Sequence, residues 1–166
     1  MLSPSVVQSN HVEQLSHQTS SKASMYRSIK IGYGCEPHIQ QTSNRHLRRI
    51  LAQFRTGSHW LNIETGRHRK QDRKNRTCPM CSCRIINPGL PPEEFDAFDS
   101  DEECSDPIED EHHAIFDCSA YADAREQHRH LFQSHITTVG NFLSQPQCNR
   151  LAKFLTWIWM LRMNRA

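Results

Sequence analysis

The feature that most constrains this chain is a set of cysteine and histidine residues between positions 78 and 118. Cys78 and Cys81 form a close pair, and His113 and Cys118 follow after a long spacer, which gives Cys-x2-Cys-x31-His-x4-Cys. Two thiols separated by two residues can direct both sulfurs at one ion, and a His and a Cys complete a tetrahedral set. The pattern therefore predicts one zinc ion. Because four protein ligands leave no position open for a substrate, this zinc is expected to be structural.

Other interpretations of the same residues stay open at this point. Buried free thiols are common, since cysteine is among the most buried residue types. A redox Cys-x-x-Cys pair would be expected near a βαβ pattern, which this sequence does not contain. The ligand set is also open, because His112 precedes His113 directly and because Cys83 and Cys104 are further candidates for the fourth position.

The spacing of His113 and Cys118 predicts a local geometry. Positions five apart on a regular α-helix point about 140° away from each other. We therefore expect the two side chains to straddle the start of a helix. In that arrangement Ser119 would cap a helix that begins at Ala120.

Three blocks of the sequence resemble a known family. They are residues 51–67 (Leu-Ala-Gln-Phe-Arg-Thr-Gly-Ser-His-Trp-Leu-Asn-Ile-Glu-Thr-Gly-Arg), 76–81 (Arg-Thr-Cys-Pro-Met-Cys) and 109–118 (Glu-Asp-Glu-His-His-Ala-Ile-Phe-Asp-Cys), with Tyr121 and Arg125 following. In this order they resemble the zinc-binding C-terminal region of non-LTR (LINE-type) retrotransposon reverse transcriptases, over about residues 44–160. The resemblance implies that the zinc ligands are Cys78, Cys81, His113 and Cys118.

The chain also differs from that family. It contains no polymerase, endonuclease or RNase H motifs, and its spacing from Cys81 to His113 is long. Together with the resemblance, these differences imply a detached, non-catalytic tail of a reverse transcriptase. Other domains of a retrotransposon protein are then expected partners.

Composition predicts a small, mainly α domain that depends on metal. The chain has 166 residues and a mean hydropathy of −0.73, which is low for a well-filled core. Small polar domains often need an ion or a cross-link for stability. Residues 1–25 are rich in Ser, Gln, His and Asn and are predicted to be a disordered tail. The zinc-binding domain is predicted to span residues 26–163, interrupted by a disordered acidic insert at 87–111.

Hydrophobic periodicity predicts three helices within the domain. The first spans Asn44 to Thr56, the second Ala120 to Gln133, and the third about 146–163. A short turn is predicted at Val139–Leu143. The weakly alternating segment from Tyr26 to Gln41, which contains glycines and Pro37, is predicted to be extended or a loop.

Basic residues within the first helix and in the later segment 67–76 predict a surface for nucleic acid. Residues 67–76 carry six Lys/Arg against one Asp and lead directly into Cys78. We expect RNA or DNA to bind with little sequence preference, because the recognised groups would be phosphates. His59 and Trp60 could supply a plane for base stacking, although Trp60 is also a candidate core residue. The candidate phosphate-binding residues are Arg45, Arg48, Arg49, Arg67, Arg69, Lys70, Arg73, Lys74 and Arg76.

The acidic insert hides how basic the rest of the chain is. Residues 87–111 hold eleven of the eighteen Asp/Glu and no Lys/Arg. Without them, twenty basic residues stand against seven acidic ones, a formal charge of +13. Such a charge favours polyanions, and the insert is expected to oppose their binding.

The remaining observations exclude several function classes. The chain has no His-Glu-x-x-His motif, no phosphate-binding glycine loop and no nucleophile elbow, so we expect no enzymatic activity and no small-molecule substrate. Seven cysteines, an odd number, and the lack of a signal peptide predict an intracellular location, in the cytoplasm or nucleus. The last apolar stretch is too short and too interrupted by charges to span a membrane. The alternative function is a zinc-stabilised protein-interaction module that docks through its apolar C-terminal helix.

Overall fold

Short helices packed around two longer ones form the described part of the protein. The computed structural model describes residues 22–30, 32, 34–81 and 106–164. Within these ranges the α-helices are α1 (Lys22–Ile29), α2 (Pro37–Gln41), α3 (Arg45–Arg55), α4 (Asn62–His68), α5 (Ala122–Gln127), α6 (Val139–Leu143) and α7 (Cys148–Met163). A π-helical turn spans His113–Asp117, and 3-10 turns span Arg73–Asn75, Ser119–Tyr121 and Arg129–Leu131. The mainly α fold predicted from the sequence is confirmed.

Helix α3 begins and ends where its sequence signals lie. Asn44 caps its first turn, because the side-chain Oδ1 accepts hydrogen bonds from the backbone N–H of His46 at 2.8 Å and of Leu47 at 3.3 Å. The helix ends before Gly57, whose φ of 62° lies in the left-handed region that glycine adopts without steric cost. The buried stripe includes Leu51 and Phe54, both fully buried.

The core lies between α3 and α7, which pack along each other. Helix α7 contributes the fully buried side chains Leu151, Phe154, Leu155 and Ile158. Phe132, Phe142 and Phe154 have ring centroids 5.1 to 5.6 Å apart and form an aromatic cluster at one end of this core. The third predicted helix is thus confirmed as α7. No helix within the described ranges combines the length and the apolarity needed to cross a membrane.

The prediction of an extended segment between Tyr26 and Gln41 is wrong, because α1 and α2 occupy most of it. Pro37 was read as a helix breaker, yet it occupies the first turn of α2, where its missing N–H costs nothing. A buried charge cluster fixes this region. The Glu36 carboxylate lies 2.6 Å from both the Lys30 ammonium and the Arg55 guanidinium.

The second predicted helix, from Ala120 to Gln133, is interrupted. Helix α5 ends at Gln127. The chain then tightens at His128 and into the 3-10 turn Arg129–Leu131, which brings the Leu131 side chain fully into the core. Ser119 does not cap this helix, because it is itself the exposed first residue of the 3-10 turn and makes no capping hydrogen bond. The turn predicted at Val139–Leu143 is the short helix α6, which is capped by the Thr138 hydroxyl.

The predicted limits of both polar segments differ from the structure. Residues 1–21 of the predicted tail lie outside the described residues, but α1 begins at Lys22, and Met25 packs against the core. Most of the acidic insert, residues 87–105, also lies outside them. Its last part, residues 106–111, instead packs against the domain, and Glu109 there is fully buried. The insert therefore ends before Asp106.

Candidate metal centre

An isolated antiparallel bridge joins the two halves of the candidate metal centre. Thr77 pairs with Ile108, and the backbone N–H of Cys78 donates to the carbonyl oxygen of Pro107 at 2.8 Å. The backbone N–H of Glu109 donates in turn to the carbonyl of Arg76 at 2.8 Å. This bridge holds the Cys78–Cys81 turn beside the segment that leads to His113. The long sequence spacing therefore does not separate the two pairs of candidate ligands in space.

A π-helical turn sets the relation between His113 and Cys118. The backbone N–H of Cys118 donates to the carbonyl oxygen of His113 at 2.8 Å, a hydrogen bond that spans five residues. Such a wide turn brings residues five apart onto one side, where a regular α-helix would point them away from each other. The expectation that the two side chains straddle a helix start is thus replaced by a π-turn that they share. Asp110 caps this segment, because its Oδ1 accepts from the N–H of His113 at 2.9 Å.

The four predicted ligand side chains converge. One ligand atom each from Cys78, Cys81, His113 and Cys118 lies within 4.8 Å of all the others. The sulfurs of Cys78 and Cys118 are 3.8 Å apart, and the Cys81 sulfur lies 3.2 Å from Nε2 of His113. Tetrahedral zinc with Zn–S bonds of about 2.3 Å places two sulfurs about 3.8 Å apart. The residues therefore fit one tetrahedral metal ion.

Burial protects most of this group from water. Cys78 and Cys118 are fully buried, His113 is buried, and Cys81 is partly exposed. Hydrogen bonding to Cys118 and burial raise the pKa of the Cys78 thiol to about 12. Burial and the neighbouring Cys78 raise the pKa of Cys81 to about 11. These two thiols thus hold their protons until a cation displaces them.

The pKa values of Cys118 and His113 shift in the directions that favour their charged forms, the thiolate and the imidazolium. The hydrogen bond from Cys78 lowers the pKa of the Cys118 thiol. The hydrogen bond with Cys78, together with the negative charges of Asp117 and Asp110, raises the pKa of His113. Cys118 therefore gives up its proton more readily than the other two thiols, whereas His113 holds its proton more strongly and must lose it when a metal ion binds.

Of the alternative ligands, His112 does not join this group. His112 is exposed, and its Nδ1 is 2.9 Å from the carboxylate of Asp117. Its ring also stacks on Phe116, with the centroids 5.0 Å apart. Cys83 and Cys104 lie outside the described residues.

Acidic residues next to the ligands tie the centre to the rest of the fold. Glu109 accepts hydrogen bonds from the Arg162 guanidinium at 2.7 and 3.0 Å and from the backbone N–H of Asn62 at 2.7 Å. Glu111 lies 2.8 Å from Nε2 of His59, whose side chain is completely buried. The sequence analysis missed these roles because it assigned both residues to the acidic insert. A signal was present in the sequence, since both acids lie within three residues of the His-His pair.

The nine candidate phosphate-binding residues differ in their exposure and in the contacts that their side chains make within the protein. Arg67 pairs with Glu64, and the Nη2 of Arg73 lies 3.6 Å from Asp110. The Arg76 guanidinium donates to the carbonyl oxygens of Ile63 and Gln71 at 2.7 to 2.9 Å, so it supports the backbone. The exposed residues are Arg45, Arg49, Arg69, Lys70, Arg73 and Lys74, while Arg48, Arg67 and Arg76 are partly buried.

The proposed stacking plane at His59 and Trp60 is taken up by internal contacts. His59 is buried between Glu111 and the ring of Phe54, whose centroid is 4.7 Å away. Trp60 is partly buried, with the Arg162 guanidinium 5.8 Å from the centroid of its ring. The structure instead places His46 of α3 against Trp159 of α7 at the surface, with ring centroids 5.5 Å apart. Sequence reasoning missed this pair because its members lie on different helices.

Comparisons with known proteins identify no relative. No family model matches the chain, and no curated protein or solved structure matches it.

Proposed function

We propose that this chain is a structural zinc module that binds RNA or DNA without catalysing a reaction. The observation that carries the zinc assignment is the convergence of Cys78, Cys81, His113 and Cys118 within 4.8 Å. Three sulfurs and one imidazole in tetrahedral arrangement are ligands typical of structural zinc. Four protein ligands close the coordination sphere, so the ion would stabilise the fold and would not activate water.

The resemblance to the zinc-binding C-terminal region of non-LTR retrotransposon reverse transcriptases supports the same proposal. The blocks that carry the resemblance include the residues that form the centre. The proposed origin is therefore a detached tail of such a reverse transcriptase. Its thiols need a reducing compartment to remain available for metal, which favours the cytoplasm or nucleus.

Exposed cations support the nucleic-acid part of the proposal. Arg69, Lys70, Arg73 and Lys74 are exposed in the segment that leads into the Cys78–Cys81 turn. Helix α3 adds exposed Arg45 and Arg49, and neither α3 nor α7 contains an acidic residue. Phosphates are the ligands that such clusters attract, and binding to them carries little sequence information.

The surface pair His46 and Trp159 offers the aromatic element that such a site can use. On α3, Arg49 is the neighbour of both His46 and Arg45, because residues three and four apart lie next to each other on a helix. A base that stacks on this pair would place its phosphates near the two guanidinium groups. We therefore propose single-stranded regions as the preferred target.

A groove on α7 favours the alternative function, a protein-interaction module. The groove encloses about 350 Å3 and is lined mainly by apolar side chains, among them Leu47, Trp157, Met160 and Leu161. Met160 and Met163 each expose 53% of their surface. Such flexible, apolar side chains are common at docking surfaces.

A binding titration separates the two candidate functions. Zinc-loaded protein is titrated into labelled single-stranded RNA, single-stranded DNA and duplex DNA at several salt concentrations. The proposal expects binding to all three, tightest for the single strands, with an affinity that falls as salt rises. If the protein binds none of them better than a control protein of equal charge, the interaction module is the better assignment.

A further inference from the structure

Arg125 lies beside the candidate metal centre without a counter-charge among the described residues. It belongs to α5, and its Nη2 donates to the carbonyl oxygen of Cys118 at 2.7 Å. Its Nη1 is buried and has no hydrogen-bond partner in the part of the chain that the structure describes. Within the same part, no carboxylate forms an ion pair with this guanidinium.

An arginine in this position is costly without a partner. Desolvation of a cation is unfavourable, and a buried N–H without an acceptor adds to the cost. The Asp117 carboxylate acts on Arg125 through its charge without forming an ion pair with it. This carboxylate is 57% exposed and instead contacts His112. The other guanidinium that interacts with the centre, that of Arg162, is already neutralised by Glu109.

The centre needs a cation as soon as it holds zinc. Three thiolates, a neutral imidazole and Zn2+ together carry one negative charge, counted from the ligand set. Asp106 and Asp110 act on the ligands Cys81 and His113 and add negative charge nearby. Among the described residues around the centre, negative charges are therefore in excess, and the Arg125 guanidinium forms no ion pair.

We propose that Arg125 is the counter-charge of the zinc–thiolate complex and that it sets the affinity and lifetime of the bound metal. This inference rests on the proposed zinc binding. The hydrogen bond to the Cys118 carbonyl positions the guanidinium, and its positive charge stabilises the anionic complex. Arg125 is a positioning residue in this role, since the structure shows no bond from it to a ligand sulfur.

The test compares three variants of the full chain. Arg125→Gln keeps an amide donor but removes the charge, whereas Arg125→Lys keeps the charge. Arg129→Gln is the matched control, because it removes an equal charge from an 83% exposed side chain whose ion pair is with the exposed Glu126. Zinc affinity is measured by competition with a chromophoric chelator, and thermal stability is measured with zinc and with chelator.

Arg125→Gln is expected to weaken zinc binding about 10- to 100-fold, the range typical of residues just outside a metal's ligands. Arg125→Lys should recover most of the affinity, and Arg129→Gln should bind as the wild type does. The melting temperature of Arg125→Gln should fall in zinc, whereas that of Arg125→Lys should stay close to the wild-type value. Cobalt-substituted protein should keep its thiolate-to-metal absorption band in every variant, which shows that the ligands are intact.

Two results would overturn the inference while the zinc site stands. One is a wild-type zinc affinity for Arg125→Gln. The other is an equal loss of zinc affinity and melting temperature for Arg125→Gln and Arg125→Lys, which would assign Arg125 to packing alone. If the wild-type chain binds no zinc at all, this inference and the proposed function both fail.

Discussion

Glu109 and Arg162 form an almost completely buried ion pair that links the metal-binding segment to the last helix. The Glu109 side chain is 0% exposed and that of Arg162 is 16% exposed, and their atoms are 2.7 Å apart at the closest contact. The same carboxylate accepts the backbone N–H of Asn62 and so also holds the start of α4. The segment that carries the ligands is thereby fixed to two helices by one side chain.

We expect Arg162→Met to destabilise the protein by about 3–5 kcal/mol, because it leaves the buried Glu109 carboxylate without its counter-charge. The double variant Glu109→Gln/Arg162→Met should lose less, since no uncompensated charge remains. Urea denaturation in saturating zinc measures the free energy of unfolding of both variants. The exposed pair of Arg129 and Glu126 is the control, and Arg129→Met should cost less than about 1 kcal/mol. A similarly small loss for Arg162→Met would contradict the role of the pair.

Zinc should bind at one ion per chain and should be needed for folding of the central region. Apparent site energies in zinc peptides are about 10–16 kcal/mol, so Cys78→Ser and His113→Ala should abolish stoichiometric binding and unfold this region. His112→Ala is the matched control, because His112 is exposed and lies outside the ligand group. Metal content by mass spectrometry and circular dichroism with and without chelator give the answer. Loss of zinc in His112→Ala but not in His113→Ala would refute the assignment.

Zinc affinity should increase steeply with pH. The pKa values of Cys78 and Cys81, about 12 and about 11, keep both thiols protonated at neutral pH. Because zinc must displace these protons, log affinity should rise by at least about two per pH unit between about pH 6 and 9. The raised pKa of His113 makes zinc affinity fall more steeply at the acid end of this pH range, because His113 takes up a proton there as a further ligand. Chelator competition at several pH values, corrected for the chelator's own protonation, measures the slope. A flat profile would show that the thiols are already deprotonated.

The sequence predicted the features that depend on local pattern. The apolar stripes of α3 and α7 are read directly from neighbouring residues. The Cys-x2-Cys pair and the later His and Cys also give the ligand types, because few other arrangements suit so many soft ligands.

Features that depend on contacts between distant residues could not be predicted in this way. Glu109 looks like one more acid of a polar insert until Arg162, which is 53 positions later, is placed beside it. The π-turn is equally hidden, because its wide hydrogen bond is favoured by the convergence of His113 and Cys118 and not by a residue preference. Pro37 was misread because proline both breaks a helix and suits its first turn.

Charge reversal at four exposed cations should weaken nucleic-acid binding across all sequences. The variant Arg69→Glu/Lys70→Glu/Arg73→Glu/Lys74→Glu replaces side chains that are all exposed, so its fold should be retained. Each lost phosphate contact should reduce the slope of log K against log salt by about 0.7 to 0.9. Arg76 is left unchanged, because it supports the backbone of Gln71 and Ile63. Fluorescence anisotropy at several salt concentrations measures the slope, and an unchanged slope would exclude this segment from the binding surface.

Trp159→Leu should weaken binding of single strands selectively. Stacking of one base on an aromatic side chain contributes about 1–3 kcal/mol, so we expect at least about a fivefold loss for single-stranded RNA and little change for duplex DNA. Trp60→Leu is not a suitable control, because Trp60 packs against Phe54 in the core. His46→Ala is the better companion, since His46 is exposed and contacts the same ring. Equal losses for single strands and duplexes would indicate a general effect on the surface.

Deleting the acidic insert should tighten nucleic-acid binding, and the structure sets where the deletion must end. Asp106, Glu109, Asp110 and Glu111 belong to the packed segment, so the deletion should remove residues 87–104 and retain the pairing of Thr77 with Ile108. This removes seven of the eighteen acidic residues and leaves twenty basic residues against eleven acidic ones, a formal charge of +9. Tethered carboxylates compete with phosphates for the same cations, so their removal should raise affinity and steepen the salt dependence. The matched control replaces the seven acids by Asn and Gln at unchanged length, and it should reproduce the effect. Equal affinity of the intact, deleted and neutralised proteins would show that the insert does not oppose binding.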